Sequence, residues 1–170
     1  SGSGGNNGTL ASAVAWGYDA RKLVTLGLDG INNYAVSASG VNLAGDVSLI
    51  YVNKCKNTQA SALVTHTMAL ARVDATNYLK LLHATGSNGS QFIASGASTA
   101  RTLTHTTVPV IDDYRIYICT LTAAGNAAFY VNGTSVDTDT GVGAISGAAG
   151  IVYIGASNVP DEYNLDKPIL

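Results

Sequence analysis

The 170-residue chain is 46% hydrophobic but only 12% charged, about half the usual charged share, so Thr, Ser, Asn, Gly and Ala must supply most of its surface. A net charge of −2, with nine Lys and Arg spread from Arg21 to Lys167, leaves no basic stripe to neutralise a phosphate backbone and argues against nucleic acid as a partner. No apolar run approaches the roughly 18 residues of a membrane-spanning helix, and the length suits one domain around one core.

In chain order, residues 1–21 open on a Ser/Gly stretch and read as an arm, flexible or in contact with neighbouring subunits, anchored by Trp16 and Tyr18. Stretches rich in β-branched and aromatic residues follow at 23–28, 34–37, 47–53, 62–70, 78–83, 91–94, 101–106, 114–121, 127–132 and 151–154, each bounded by Gly, Asn, Asp or Ser. Short strands at such spacing predict an all-β, antiparallel β-sandwich over 22–160. Within it, 47–52 is apolar on both faces and predicts a central strand. Residues 69–82 also carry helical spacing, but they have no cap and are rich in Thr, Val, Tyr and Leu, so strand, turn, strand is expected.

Further on, 114–121 alternates: Ile116 and Ile118 share one face, and Arg115, Tyr117 and Cys119 share the other, which Arg115 marks as half covered. Residues 122–126 form a hairpin loop in which Gly125 and Asn126 both tolerate positive φ. Asn132-Gly133 predicts a type I′ turn pairing 129–131 with 135–137. The Gly/Ala-rich stretch 140–150 reads as an extended loop or weak edge segment, and 161–170 as a tail able to reach a neighbouring chain.

Three pieces in register, Leu28-Asp29-Gly30-Ile31-Asn32-Asn33-Tyr34-Ala35-Val36, Asp46-Val47-Ser48-Leu49-Ile50-Tyr51-Val52 and the closing half, carry a resemblance. The closing half consists of Tyr114-Arg115-Ile116-Tyr117-Ile118, Phe129-Tyr130-Val131-Asn132-Gly133 and Ile151-Val152-Tyr153-Ile154-Gly155. Together they resemble the laminin-G-like and concanavalin A-like lectin/glucanase jelly rolls over about residues 23–156. Tyr51 and Tyr114 stand where that family often has Trp, and its last strand is hard to find after Pro160. The resemblance implies a jelly roll. From relatives that use calcium at the sandwich rim, it also implies Asp29, Asp46 and Asp137 as candidate calcium ligands.

Chemistry is sparse. Glycan hydrolysis on this fold needs paired carboxylates, yet Glu162 is the sole Glu, and the close pairs Asp112-Asp113 and Asp137-Thr138-Asp139 flank strands where turn-forming Asp is ordinary. His66, His83 and His105 sit among Thr, Ala and Leu and read as structural or surface residues. Cys55 and Cys119 lie in strand-like segments and read as small buried thiols, with a single bridge as the alternative. Asn7, Asn88 and Asn132 head glycosylation sequons of the kind that arise by chance in an Asn/Gly/Thr-rich chain. No catalyst is expected. The expectation is a non-catalytic surface or assembly module, a phage-like virion decoration or tail component or another extracellular structural protein, forming homo-oligomers. The alternative is a carbohydrate-binding, lectin-like domain, with or without the aid of calcium, with Trp16, Tyr18 and Tyr34 as ligand-binding candidates and Tyr51 and Tyr78 as further aromatic platforms.

Overall fold

The computed structural model describes residues 8–11, 15–18, 24–27, 34–37, 40–54, 66–83, 89–107, 114–146 and 150–155. Among them there is no helix; the strands are β1 (Gly8–Ala11), β2 (Ala15–Tyr18), β3 (Val24–Gly27), β4 (Tyr34–Ser37), β5 (Val47–Lys54), β6 (His66–Arg72), β7 (Tyr78–His83), β8 (Ser90–Ser95), β9 (Arg101–His105), β10 (Tyr114–Leu121), β11 (Ala127–Val131), β12 (Thr134–Asp139) and β13 (Ile151–Ile154). A seven-stranded antiparallel sheet runs β1-β4-β13-β6-β7-β8-β9, a four-stranded one β12-β11-β10-β5, and β2 pairs with β3. Two parts of the expected N-terminal arm are thus strands, β1 bonded along β4 and β2 along β3. The 161–170 tail lies outside the described residues.

The inner faces of the two large sheets meet in one core. Ala69, Ala71, Leu79, Leu81, Phe92, Ala94 and Leu103 come from the seven-stranded sheet; Tyr51, Tyr117, Cys119, Leu121, Phe129 and Val131 come from the other. Phe129 links them, with its ring centroid 6.2 Å from those of Phe92 and Tyr117. Aromatic pairs at this separation add to plain area burial.

Alternation in β10 selects this packing, but the interior receives Arg115, Tyr117, Cys119 and Leu121, while Ile116 is 44% exposed. The face expected to be half covered is therefore the core face. Arg115 is accommodated at its end because Nη1 donates to the Thr107 carbonyl at 2.8 Å. Expectation also fails for β5: among the described residues it ends the four-stranded sheet instead of lying centrally. Its second apolar face, Ile50 at 64% and Val52 at 56% exposure, meets solvent.

The turns follow residue chemistry. Asn132 and Gly133 have φ of 52° and 82°, the two positive values that a type I′ turn requires. β12 then pairs back on β11 with a bulge between Phe129 and Tyr130. Asn132 is also tied to β10, donating its amide to the Ile116 carbonyl at 2.8 Å and accepting the Ile116 amide on Oδ1 at 2.9 Å. The described part of the Gly/Ala-rich stretch after β12, residues 140–146, forms no strand. Ala97 and Ser98 donate amides to Ala144 and Val142, and the Val142 amide bonds the Gly125 carbonyl. Val142 and Ile145 are buried beneath it.

Candidate functional site

The outer face of the seven-stranded sheet carries the candidate site. Register sets Arg72 opposite Tyr78 and Leu70 opposite Lys80, with Lys80 in turn opposite Ile93. Antiparallel partners share a face, so the β6–β8 strands bring two cations, a phenol and two aliphatic side chains to one place. Leu70, Arg72, Ala75, Tyr78, Lys80 and Ile93 line an open recess of about 250 Å³. On the neighbouring strand β13, Ile151 stands opposite Arg72 and Tyr153 opposite Leu70, extending the same face with one exposed aliphatic and one half-buried phenol.

One rim of the recess is the turn between β6 and β7, and Asp74 builds it. Its Oδ1 accepts the amides of Thr76 at 2.7 Å and Asn77 at 2.9 Å, the Thr76 hydroxyl at 2.9 Å and the Asn77 side-chain amide at 3.1 Å. The Arg72 Nε donates to the Asp74 carbonyl at 3.0 Å, pinning the guanidinium to this rim. Asn77 Oδ1 accepts the Ser146 amide, and the Ser95 hydroxyl donates to the Thr76 carbonyl, so the turn is fastened on two sides.

The Thr76 amide, followed by the side chains of Asn77 and Thr76, holds the Asp74 carboxyl at about 2 against an ordinary 3.8. Because the folded-state value is the lower one, the stabilisation is complete above pH 3.8 and is lost as pH falls through about 2. Thermal melts recorded from pH 5 to pH 2 should decline over this window. Asp74→Asn should flatten that decline; an identical slope in the variant would show that the ionised carboxylate does not hold the turn.

Of the sequence-derived ligand-binding and calcium candidates, only Asp46 and Asp137 have described side chains. Trp16 and Tyr18 lie on β2 and Tyr34 on β4, with side chains outside the described residues, and Asp29 is outside them altogether. Asp46 precedes β5 and accepts the Ala123 amide at 2.8 Å. Asp137 lies in β12, accepting the amides of Thr104 at 2.9 Å and Thr138 at 2.9 Å. The sheet order puts β5 and β12 on opposite edges, so Asp46 and Asp137 do not converge. Among the described residues no group of three or more His, Cys, Asp or Glu is placed to hold a metal. Of the further aromatic candidates, Tyr51 is core, its phenol pushed above the ordinary range by burial and then by Tyr117, whereas Tyr78 lines the recess.

His66, His83, Ser90 and His105 fall in one register row across β6–β9. His83 is buried, with Nδ1 3.3 Å from the Gly89 carbonyl and its ring edge-on to Tyr117 at 6.4 Å. His105 is held below its ordinary value by burial and then by the Arg115 charge. Among the described residues its Nδ1 and the Ser90 hydroxyl are buried without a hydrogen-bond partner. Cys119 is a buried free thiol, its pKa raised by desolvation; Cys55 lies outside the described residues.

Arg72, Lys80, Leu70 and Ile93 were not singled out as site residues from sequence. The signal was nonetheless present, because a hairpin turning at 73–77 places Arg72 beside Tyr78 and Leu70 beside Lys80.

No protein-family model and no curated protein sequence matches this chain. Solved structures do. Domain 4 of AbnA, an extracellular GH43 arabinanase from Geobacillus stearothermophilus, solved in complex with arabinotriose, superposes with a TM-score of 0.69 at 14% identity, covering 93% of this chain and 78% of that one. The fold shared with it is an antiparallel β-sandwich of the jelly-roll kind. The same jelly roll occurs in a heptameric SAP-like pentraxin from Limulus polyphemus, with a TM-score of 0.58 at 14% identity over 80% of this chain and 64% of that one. It occurs again in the binding domain of botulinum neurotoxin DC, solved with rat synaptotagmin II, with a TM-score of 0.67 at 14% identity over 92% of this chain and 40% of that one. This chain therefore spans less than two thirds of the pentraxin and neurotoxin-domain chains. At such identities the jelly roll is what is shared, and the side chains of the recess must be read on their own chemistry.

Proposed function

We propose that this jelly roll is a non-catalytic binding module that takes a saccharide on the outer face of its seven-stranded sheet. The observation that carries the reading is the recess around Tyr78, an aromatic platform between aliphatic walls with polar groups converging from two strands. Binding sites of this kind are concave, mostly apolar and supplied with a few orienting polar groups. The arabinanase domain that shares the fold was solved with arabinotriose, which supports a saccharide as the class. Among the described residues that line the recess none is a carboxylate, the group that glycoside hydrolysis on this fold would need in pairs.

A glycan array, run with and without a chelator, tests the proposal. Binding that Tyr78→Ala abolishes is expected, since losing an aromatic stacking surface costs roughly tenfold or more. A flat array, or binding untouched by Tyr78→Ala, would sink it. Loss on chelation would restore calcium and the rim aspartates to the account.

The outer face of the four-stranded sheet favours a second reading, assembly with further copies of this chain in a virion or other extracellular structure. Val52 pairs with Ile116 and Ile50 with Ile118, which makes an apolar patch. β5 between Val47 and Asn53 bears no charge, the device by which edge strands usually avoid partners. A two-fold axis beside β5 would join two such patches. Light scattering should then give a dimer or larger species that Ile50→Lys returns to monomer; a monomer at all concentrations would remove the assembly role.

A further inference from the structure

Resting on the saccharide reading, we infer that the ligand is an oligosaccharide segment of at least three sugar units, held at two aromatic platforms, Tyr78 and Tyr153. Register puts both phenols on one face. Tyr153 of β13 stands opposite Leu70 of β6, Leu70 stands opposite Lys80 of β7, and Lys80 is two residues from Tyr78 on the same strand. Antiparallel partners share a face, as do residues two apart along a strand. β13 fixes which face this is, because Val152 and Ile154 pack against the core and Ile151 and Tyr153 alternate with them. Both tyrosines are half-buried, so part of each side chain meets solvent.

Their separation sets the length of the ligand. The path from Tyr153 to Tyr78 crosses two strand spacings, about 10 Å, and two residues along a strand, about 7 Å, which leaves the platforms roughly 12 Å apart. One sugar ring covers less than half of that distance in a chain. A ring stacked on each tyrosine therefore has at least one further unit between them, passing over β6, where buried Leu70 supplies an apolar floor to the recess.

A ring stacked on one tyrosine is a weak contact. Two such contacts on one covalent chain reinforce each other, because the second forms at high effective concentration when the span of the ligand matches that of the sites. Here the span is set before binding, since β13, β6 and β7 are consecutive hydrogen-bonded strands of one sheet, and little ordering is left to the protein. A monosaccharide reaches one platform alone and gains none of this.

Titration calorimetry of the full chain against arabino-, xylo- and cello-oligosaccharides of one to six units tests the inference. In a ladder that binds, affinity should rise roughly tenfold or more from the single sugar to the length that reaches both tyrosines, and then level off. Tyr153→Val removes the ring but keeps a strand-forming residue; it should return the longer chains to about the affinity of the shorter ones and leave the single sugar unchanged. Tyr153→Phe should keep the rise, and Tyr78→Ala should weaken every length.

If Tyr153→Val loosens β13, as a lower melting temperature would reveal, the length dependence of the wild type still decides. Affinity independent of length, yet weakened by Tyr78→Ala, would overturn the two-platform site and keep the saccharide reading. A rise with length that a folded Tyr153→Val variant preserves would put the second contact elsewhere and overturn the inference too. Silence on all three ladders would also overturn it, and a flat glycan array beside that silence would remove the saccharide reading as well.

Discussion

Phe129→Ala is expected to cost about 3–5 kcal/mol of unfolding free energy, a loss typical of a fully buried aromatic whose cavity cannot collapse. Phe129 is fully buried, and its ring joins the two sheets through Phe92 on one side and Tyr117 on the other. Both neighbours sit on hydrogen-bonded strands, which cannot close in without breaking pairs of their ladders. Out of a typical total of about 5–15 kcal/mol, this is a large fraction. Urea denaturation should show a much lower midpoint with a similar slope. The contrasting variant is Ile50→Ala, 64% exposed on the outer face, expected to stay within about 0.5 kcal/mol of the wild type. A midpoint for Phe129→Ala close to that of Ile50→Ala would mean that the sheets do not pack as described.

The second large effect is Gly125→Ala, expected to cost about 2–4 kcal/mol from two sources. Gly125 has φ of 82°, where a Cβ is strained by about 1 kcal/mol or more. That Cβ would also land on the amide nitrogen of Gly143 and 2.5 Å from its Cα. Backbone cannot swing away as a side-chain tip can, so overpacking of about 1–3 kcal/mol is added. Gly133 separates the two contributions, because its φ is likewise 82° but a Cβ there meets nothing within 4 Å. Gly133→Ala should therefore show the strain alone, near 1 kcal/mol. If the two variants melt together, the close approach of residue 143 to the β10–β11 loop is absent in solution.

Much of this arrangement was legible in the residues. Asn132-Gly133 dictated its turn, because few other pairs enter positive φ twice in succession without strain. The Thr/Val/Tyr/Leu content of 69–82 correctly overrode its helical spacing, yielding β6, the Asp74 turn and β7. The first two strands were missed, since Gly8–Ala11 and Ala15–Tyr18 are only four residues long, each contains a glycine, and they gain their pairing from β4 and β3. Propensity carries little signal for such edge pieces. The Gly125 half of the 122–126 loop was right, while Asn126 keeps negative φ.

The site was less legible for a reason of the same kind. Tyr78 was recognised as an aromatic of the right type, but an aromatic in a strand is indistinguishable from a core residue until its face is known, as Tyr51 illustrates by being buried. In β10 both faces are apolar enough for either to be interior, and only packing against Phe129 and His83 shows that Tyr117 points in and Ile116 out.

By itself, then, the sequence determined strands, turns and the all-β class, because these follow from backbone preferences and a two-residue period acting over a few neighbours. Sheet order, the choice of inner face and the meeting of Leu70, Arg72, Tyr78, Lys80 and Ile93 were decided by tertiary structure alone. They depend on register across β6, β7 and β8, where a slip of one residue would turn every one of those side chains to the opposite face.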